Sequence, residues 1–235
     1  MKYLGLAFLF AVVASPLAAA DKPAGIPDNY KLLYSSDFKK ADALKEFVPT
    51  DPDAWKINKE GDVTFLEQHK QSAYKPVHRS PFNFALLGDK VFGDCIIEVD
   101  CQQTSKEYGH RDMVFVFGFQ NPSNFYYVHI ATKADDHANN VFIVKDAPRL
   151  KISKESNKGN DWGAGWKKVR IERKVSDGTI KVWFDDLTKP IMLAEDKSFG
   201  TGWIGVGTFD DTGRVASVMV WGESAEIKTV PAFKK

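Results

Sequence analysis

The sequence predicts an all-β protein, a two-sheet antiparallel jelly-roll sandwich. Beyond about residue 30 the chain runs in short segments rich in Val, Ile, Phe, Tyr and Trp, bounded by Gly, Asp, Asn and Pro. Helical periodicity is scarce, its best stretch being 41–47. No crossover helices separate the strands, which excludes a parallel sheet, and no repeat of blade length points to a propeller. The strands outnumber a single open sheet, so they close over one another as a sandwich.

Candidate strands fall at 31–37, 55–58, 63–68, 94–103, 113–120, 124–132, 140–145, 150–153, 167–174, 179–185, 191–195, 202–209 and 216–222. Ser176-Asp177-Gly178 is a hairpin turn. Its flanks alternate, Val169, Ile171 and Arg173 on one arm, Ile180, Val182 and Phe184 on the other. Asp210-Asp211-Thr212-Gly213 is a second turn. Asn121-Pro122-Ser123 joins two further strands, and an antiparallel hairpin there sets Met113 opposite a residue near 130–132.

The first twenty residues carry the parts of an export signal. Lys2 is the positive start, LGLAFLFAVV the apolar centre, and Ala18-Ala19-Ala20 the small residues before cleavage. The apolar run is too short for the roughly 18–20 residues of a membrane span. The expectation is a signal peptide at 1–20, a single domain at 21–235, and a secreted or periplasmic protein. Of the 32 basic residues only Lys2 lies in the signal, so the remainder sets 31 basic against 31 acidic residues. That balance argues against nucleic acid or an anionic membrane as partner.

Cys95 and Cys101 lie in CIIEVDC on the face of Ile97 and Val99. Six residues of strand span about 20 Å, beyond the roughly 4.4–6.8 Å of a disulfide. They read as two free, buried thiols.

Several segments together resemble a known superfamily: LLYSSDF…PTDPDAWKI, FGDCIIEVDCQQTSKEYGHRDMVFVFGFQNPSNFYYVHI, WKKVRIERKVSDGTIKVWFDD and GWIGVGTFDDTGRVASVMVWG. The chain is similar to the concanavalin A-like lectin/glucanase (laminin-G-like) superfamily, and within it to secreted bacterial domains allied to the 3-keto-disaccharide hydrolase domain. The resemblance spans nearly all of 21–235. It implies a curved sandwich whose concave face holds a saccharide, with calcium in some members. The opening Leu-Phe-Asn-Gly-Lys segment and the mid-chain Asn-Ser-Gly-x-x-x-Arg segment of the hydrolase domain are absent. Tyr108-Gly109-His110-Arg111-Asp112 stands in the comparable middle place.

That segment is the densest polar cluster. Arg111 is a fork donor for hydroxyls or a carboxylate, His110 a proton carrier and Asp112 an acid. The alternative is a strand entrance fixed by an Arg111–Asp112 pair. On 124–132, Phe125, Tyr127 and His129 share one face. Tyr127 and His129 read as a sugar platform, the alternative being a buried histidine satisfied by a neighbour. Asp135, Asp136, His137, Asn139 and Asn140 follow. Their oxygens suit calcium but lack its loop spacing, so a solvated turn is the expectation, with no cofactor and no metal.

Glu98, Asp100 and Gln102 alternate on one strand face and are similar to the Glu-x-Asp-x-Glu strand of retaining glucanases. Gln102 in the last place cannot exchange a proton, so this reads as the wet face of an ordinary strand. Of the two tryptophans in WGAGW, the resemblance implies that the second, Trp166, starts a strand and plugs the core, which leaves Trp162 as a sugar-stacking candidate. The substrate-binding candidates are therefore His110, Arg111, Asp112, Tyr127, His129 and His137, with His110, Asp112, Glu98 and Asp100 as weak catalytic candidates. The function expected is glycan binding, with a glycan-cleaving enzyme as the alternative, either a hydrolase of the 3-keto-disaccharide type or a polysaccharide lyase.

Overall fold

The computed structural model describes residues 22–230 and 233, so the expected signal at 1–20 lies outside the described residues. Two antiparallel sheets face each other. The seven-stranded sheet runs in space Leu150–Lys151, Asn140–Lys145, Asn124–Ala131, Asp112–Asn121, Trp203–Thr208, Asn83–Leu87, Phe47–Pro49. The nine-stranded sheet runs Ser153–Ser156, Met192–Glu195, Thr179–Phe184, Lys167–Arg173, Cys95–Gln103, Gly213–Gly222, Val63–Gln68, Trp55–Glu60, and Lys31–Ser36 also pairs with Gly213–Gly222. The architecture is the jelly-roll sandwich expected. Among the described residues, no helix is long and apolar enough to cross a membrane.

Alternation places the core. Val99, Cys101 and Ile171 from one sheet meet Met113, Phe115, Val128 and Ile130 from the other. Both thiols are free and buried, and burial pushes the Cys95 thiol up to about 12. A second apolar cluster covers the outer face of the seven-stranded sheet, with Phe84, Phe119, Phe125, Tyr127, Phe142 and Trp203. Phe233 lies on it, its ring 5.5 Å from Phe84 and 5.4 Å from Tyr74. Phe233 thus covers part of this face, and a cleft lies at the end that holds His129.

The double covering also holds a short strand that the sequence reading leaves out. In Asn83–Leu87 every residue is buried. Ala85 and Leu87 enter the inner core while Phe84 and Leu86 enter the outer cluster. With both faces dry there is no polar alternation to detect. The helical reading of 41–47 shrinks to one 3-10 turn, Ala43–Glu46, before Phe47 starts a strand.

The tryptophan assignment is reversed. Trp162 is buried against Phe184, ring centroids 4.9 Å apart, whereas Trp166 is 36% exposed. Period two explains it: Val169 and Ile171 point inward from Lys167–Arg173, so Trp166 and Lys168 point outward. The wet-face reading of Glu98 is also corrected. Glu98 is buried; its Oε1 accepts from Arg170 Nε at 2.9 Å and Nη2 at 2.6 Å, and Arg170 Nη1 donates to the Ala24 carbonyl at 2.8 Å.

Strand Asp112–Asn121 changes phase part-way. Met113, Phe115 and Phe117 face the core, yet Phe119 faces outward. The register shifts between Phe117 and Asn121, and Gly118 sits there at φ +55°. A Cβ at Gly118 would lie 3.0 Å from the Tyr126 ring. Gly118→Ala is expected to destabilise the protein by about 1–3 kcal/mol through left-handed strain, read as a lower urea midpoint at unchanged slope.

Candidate functional site

The site is assembled where the seven-stranded sheet ends beside the turn at 209–212. Asp112 opens its strand and pairs with Ala131, Met113 pairs with Ile130, and Val114 pairs with His129. The hairpin register is the expected one. It sets His129 on the outer face beside Tyr127, with Phe142 on the next strand.

The 209–212 turn is clasped against that strand end. The Phe209 amide donates to Asp112 Oδ1 at 2.8 Å, and the Asp112 amide donates to Asp211 Oδ2 at 2.9 Å. The Tyr108 hydroxyl donates to the same Asp211 oxygen at 3.0 Å. Behind them, Thr208 Oγ1 donates to Gln68 Oε1 at 2.9 Å, and Gln68 Nε2 donates to the Asp211 carbonyl at 2.8 Å. Gln68, Thr208 and Asp112 are all buried. Turn and strand thus exchange carboxylates and amides.

A cleft of about 150 Å³ opens over this clasp. It is lined by Arg79, Tyr108, His110, Asp112, His129, His137, Arg149, Phe209 and Asp210. Hollows of about 280, 350 and 410 Å³ occur elsewhere, but none contains a histidine. Chemistry rather than size singles out the smaller one. Arg149 forms one wall: its guanidinium lies 4.2 Å from the Phe209 ring centroid and 4.9 Å from that of Phe142. Its Nη1 donates to the Tyr127 hydroxyl at 3.0 Å. Tyr127 is therefore the support beneath Arg149 rather than an exposed platform.

His129 forms the floor and is 3% exposed. Its Nε2 lies 3.1 Å from Asp112 Oδ2, but neither ring nitrogen makes a hydrogen bond. The approach is short without the alignment of a bond. At the mouth, His110 Nε2 meets Asp135 Oδ2 at 2.6 Å, and the His137 amide donates to Asp135 Oδ1 at 2.7 Å. Burial works to raise the Asp135 carboxyl, yet the His137 amide and the His110 ring outweigh it and hold the group below its ordinary value. Burial, with the Asp112 charge, raises both Asp210 and Asp211, and Asp211 is pushed up to about 6.

Four of the six binding candidates thus line one cleft: His110, Asp112, His129 and His137. Arg111 does not. It is buried facing the other way, with Nε on Gln103 Oε1, Nη1 on Glu107, and Nη2 on the carbonyls of Gln103 at 3.0 Å and Gly163 at 3.2 Å. It pairs with Glu107, not with Asp112. Residues alternate in direction, so Arg111 and Asp112 cannot both face the cleft. Glu98 and Asp100 sit on the other sheet. Asp100 accepts from Lys168 Nζ at 2.7 Å and Ser217 Oγ at 2.6 Å, so both carboxylates are tied to partners. Asp136 is paired with Lys151, and Asn139 and Asn140 are spent on loop bonds.

Sequence reasoning missed Arg79, Arg149, Phe209 and Asp210. Both arginines come from stretches without periodicity, HRSPF and KDAPRL, joined by the Arg149 amide donating to the Arg79 carbonyl at 3.1 Å.

No family model matches the sequence, and no curated protein matches it. Among solved structures, a carbohydrate binding module, CBM66, from Bacillus subtilis is similar at TM-score 0.52 and 16% identity, over 72% of this chain and 91% of that one. A Bacillus subtilis protein of unknown function with a galectin-like fold is similar at TM-score 0.52 and 10% identity, over 81% and 97%. The chain has a concanavalin A-like, galectin-like β-sandwich fold. At these identities the likeness is one of architecture.

Arg111→Ala is expected to lower unfolding stability by about 2–4 kcal/mol, since it strips a buried cation from two carbonyls and Gln103. Chemical denaturation measures this. A loss under about 0.5 kcal/mol, the range of an ordinary surface substitution, would show that the side chain is not so held.

Proposed function

We propose that residues 21–235 form one secreted or periplasmic domain that binds a glycan, with a single sugar unit seated in the His129–Arg149 cleft. The observation that carries this reading is the cleft itself. A held donor from Arg149 and an exposed one from Arg79 share the cleft with acceptors from Asp112 and Asp210 beside an aromatic wall at Phe209. Sugar hydroxyls both donate and accept, and sugar C–H faces pack on rings, so such mixed lining suits them better than an apolar ligand. A volume of about 150 Å³ is below the roughly 300–1,000 Å³ of drug-sized pockets, which limits the occupant to about one ring. The fold shared with a carbohydrate binding module is consistent with this reading.

A second reading, glycan cleavage at the same cleft, is favoured by one feature. The buried Asp112 carboxylate and the His129 ring, whose Nε2 lies 3.1 Å away, put an acid and a base side by side in one cleft. Either hydrolysis of the 3-keto-disaccharide kind or lyase elimination would use it. The Glu98/Asp100 pair is a poorer source of chemistry, since Arg170 and Lys168 neutralise it.

A glycan array on the mature protein, followed by a reducing-end assay on the hits, separates the readings. Binding without new reducing ends supports the first. Arg79→Ala is expected to weaken binding about tenfold, the loss of one charge-assisted hydrogen bond, with stability unchanged because Arg79 is exposed. Unaltered affinity in that variant would remove the cleft from the account.

A further inference from the structure

Most arginines of this protein are paired. Arg111 meets Glu107, Arg170 meets Glu98, and Arg214 meets Glu60 and Glu67. Arg173 donates to the carbonyls of Gly178, Asp196 and Phe199. Arg79 and Arg149 are the exceptions, since among the described residues neither has an ion pair. Both line the His129 cleft, and the Arg149 amide on the Arg79 carbonyl joins their segments. A guanidinium stays charged throughout the physiological pH range. Both unpaired cations are therefore gathered at one opening.

Arg149 is held where it stands. Its guanidinium lies 4.2 Å from the Phe209 ring centroid and 4.9 Å from that of Phe142, and Nη1 donates to Tyr127 at 3.0 Å. Nη2 makes no hydrogen bond and is not closed off. Arg79 is exposed, yet its charge reaches the same place. Burial raises the Tyr127 hydroxyl, and Arg149 and, more weakly, Arg79 act against that rise. The same cleft offers an acceptor in Asp210, an exposed carboxylate with no ion pair among the described residues. We propose that the sugar unit seated here is a uronic acid, its carboxylate on Arg149 and Arg79 and its hydroxyls on Asp210. This rests on the glycan reading of the cleft and narrows it from sugars at large to acidic ones.

The acids of the cleft limit what the anion can be. A phosphate ester carries close to two negative charges at neutral pH, and both would face Asp112 and Asp210. A carboxylate brings one charge, and its planar pair of oxygens matches a guanidinium. The other acids are occupied. Asp211 is turned into the clasp, accepting from the Asp112 amide and the Tyr108 hydroxyl. Asp112 gives one oxygen to the Phe209 amide, and Asp135 at the mouth meets His110. Size places the charge as well. A cleft of about 150 Å³ admits one ring, so the carboxylate belongs to the ring that enters and not to its neighbour in a chain.

The test is calorimetric titration of the protein with oligomers of galacturonate, glucuronate and alginate. Each is paired with its carboxyl-reduced counterpart, in which CH₂OH replaces the carboxylate, and a sulfated galactan oligomer serves as a second kind of anion. At least one uronate is expected to bind about tenfold or more tightly than its reduced counterpart. Arg79→Gln, at an exposed position, is expected to bring that pair to within about twofold of each other, at unchanged Tm. Lys59→Gln removes an equally exposed charge from the other sheet and is expected to leave the preference intact. Equal binding of every uronate and its counterpart overturns the proposal, as does tighter binding of the sulfated oligomer or a preference that survives Arg79→Gln. Binding of neutral sugars alone would overturn it and leave the glycan reading standing, whereas binding of no sugar at all would remove both.

Discussion

The exchange of carboxylates and amides between Asp112 and the 209–212 turn is the constraint on which this end of the molecule depends. The turn carries the chain from Trp203–Thr208 in one sheet to Gly213–Gly222 in the other. A crossing of that kind leaves backbone groups without a ladder partner, and buried ones must be satisfied. Asp112 satisfies the Phe209 amide, Asp211 the Asp112 amide, and Gln68 the Asp211 carbonyl. Gln68 belongs to the nine-stranded sheet and Asp112 to the seven-stranded one, so the network ties both layers at the crossing. It also places Asp210 and Phe209 over His129. The structural bonds and the chemistry of the cleft therefore share the same side chains, and Asp112 serves both through its two oxygens.

Much of the architecture was legible because several strands of the nine-stranded sheet keep a wetter face, while long strands of the seven-stranded sheet are apolar, aromatic runs bounded by turns. The Ser176-Asp177-Gly178 hairpin pairs Val169 with Phe184 and Ile171 with Val182 as alternation requires. Illegibility followed from physics that alternation does not express. Asn83–Leu87 is dry on both faces and has no period. Glu98 sits on a polar face that Arg170 and the 23–25 segment bury. The Trp162/Trp166 reversal follows from the phase of Val169 and Ile171, which turns Trp166 outward against the habit of the resembled superfamily.

The cleft was half legible. His110, Asp112, His129 and His137 could be brought together from one hairpin register, because sequence neighbours and a short turn fix it. Arg79 and Arg149 could not, since irregular segments deliver them and only the packing of Arg149 on Phe142 and Phe209 fixes its place. Arg111 shows the converse error. A dense run of functional residue types reads as one site, yet successive side chains diverge, and Arg111 bridges Gln103 and Gly163.

The central claim is that the Asp112 clasp is as rigid as the core and so holds the cleft in place. Native-state hydrogen exchange tests it at two amides. The Phe209 amide lies just past a strand end, and the Asp112 amide opens its strand, so ordinary fraying would let both exchange quickly. The account predicts protection of both at the level of Phe115 and Val128 in the core, with exchange only through global unfolding. Exchange of either amide at the rate of the exposed 135–137 loop would contradict it.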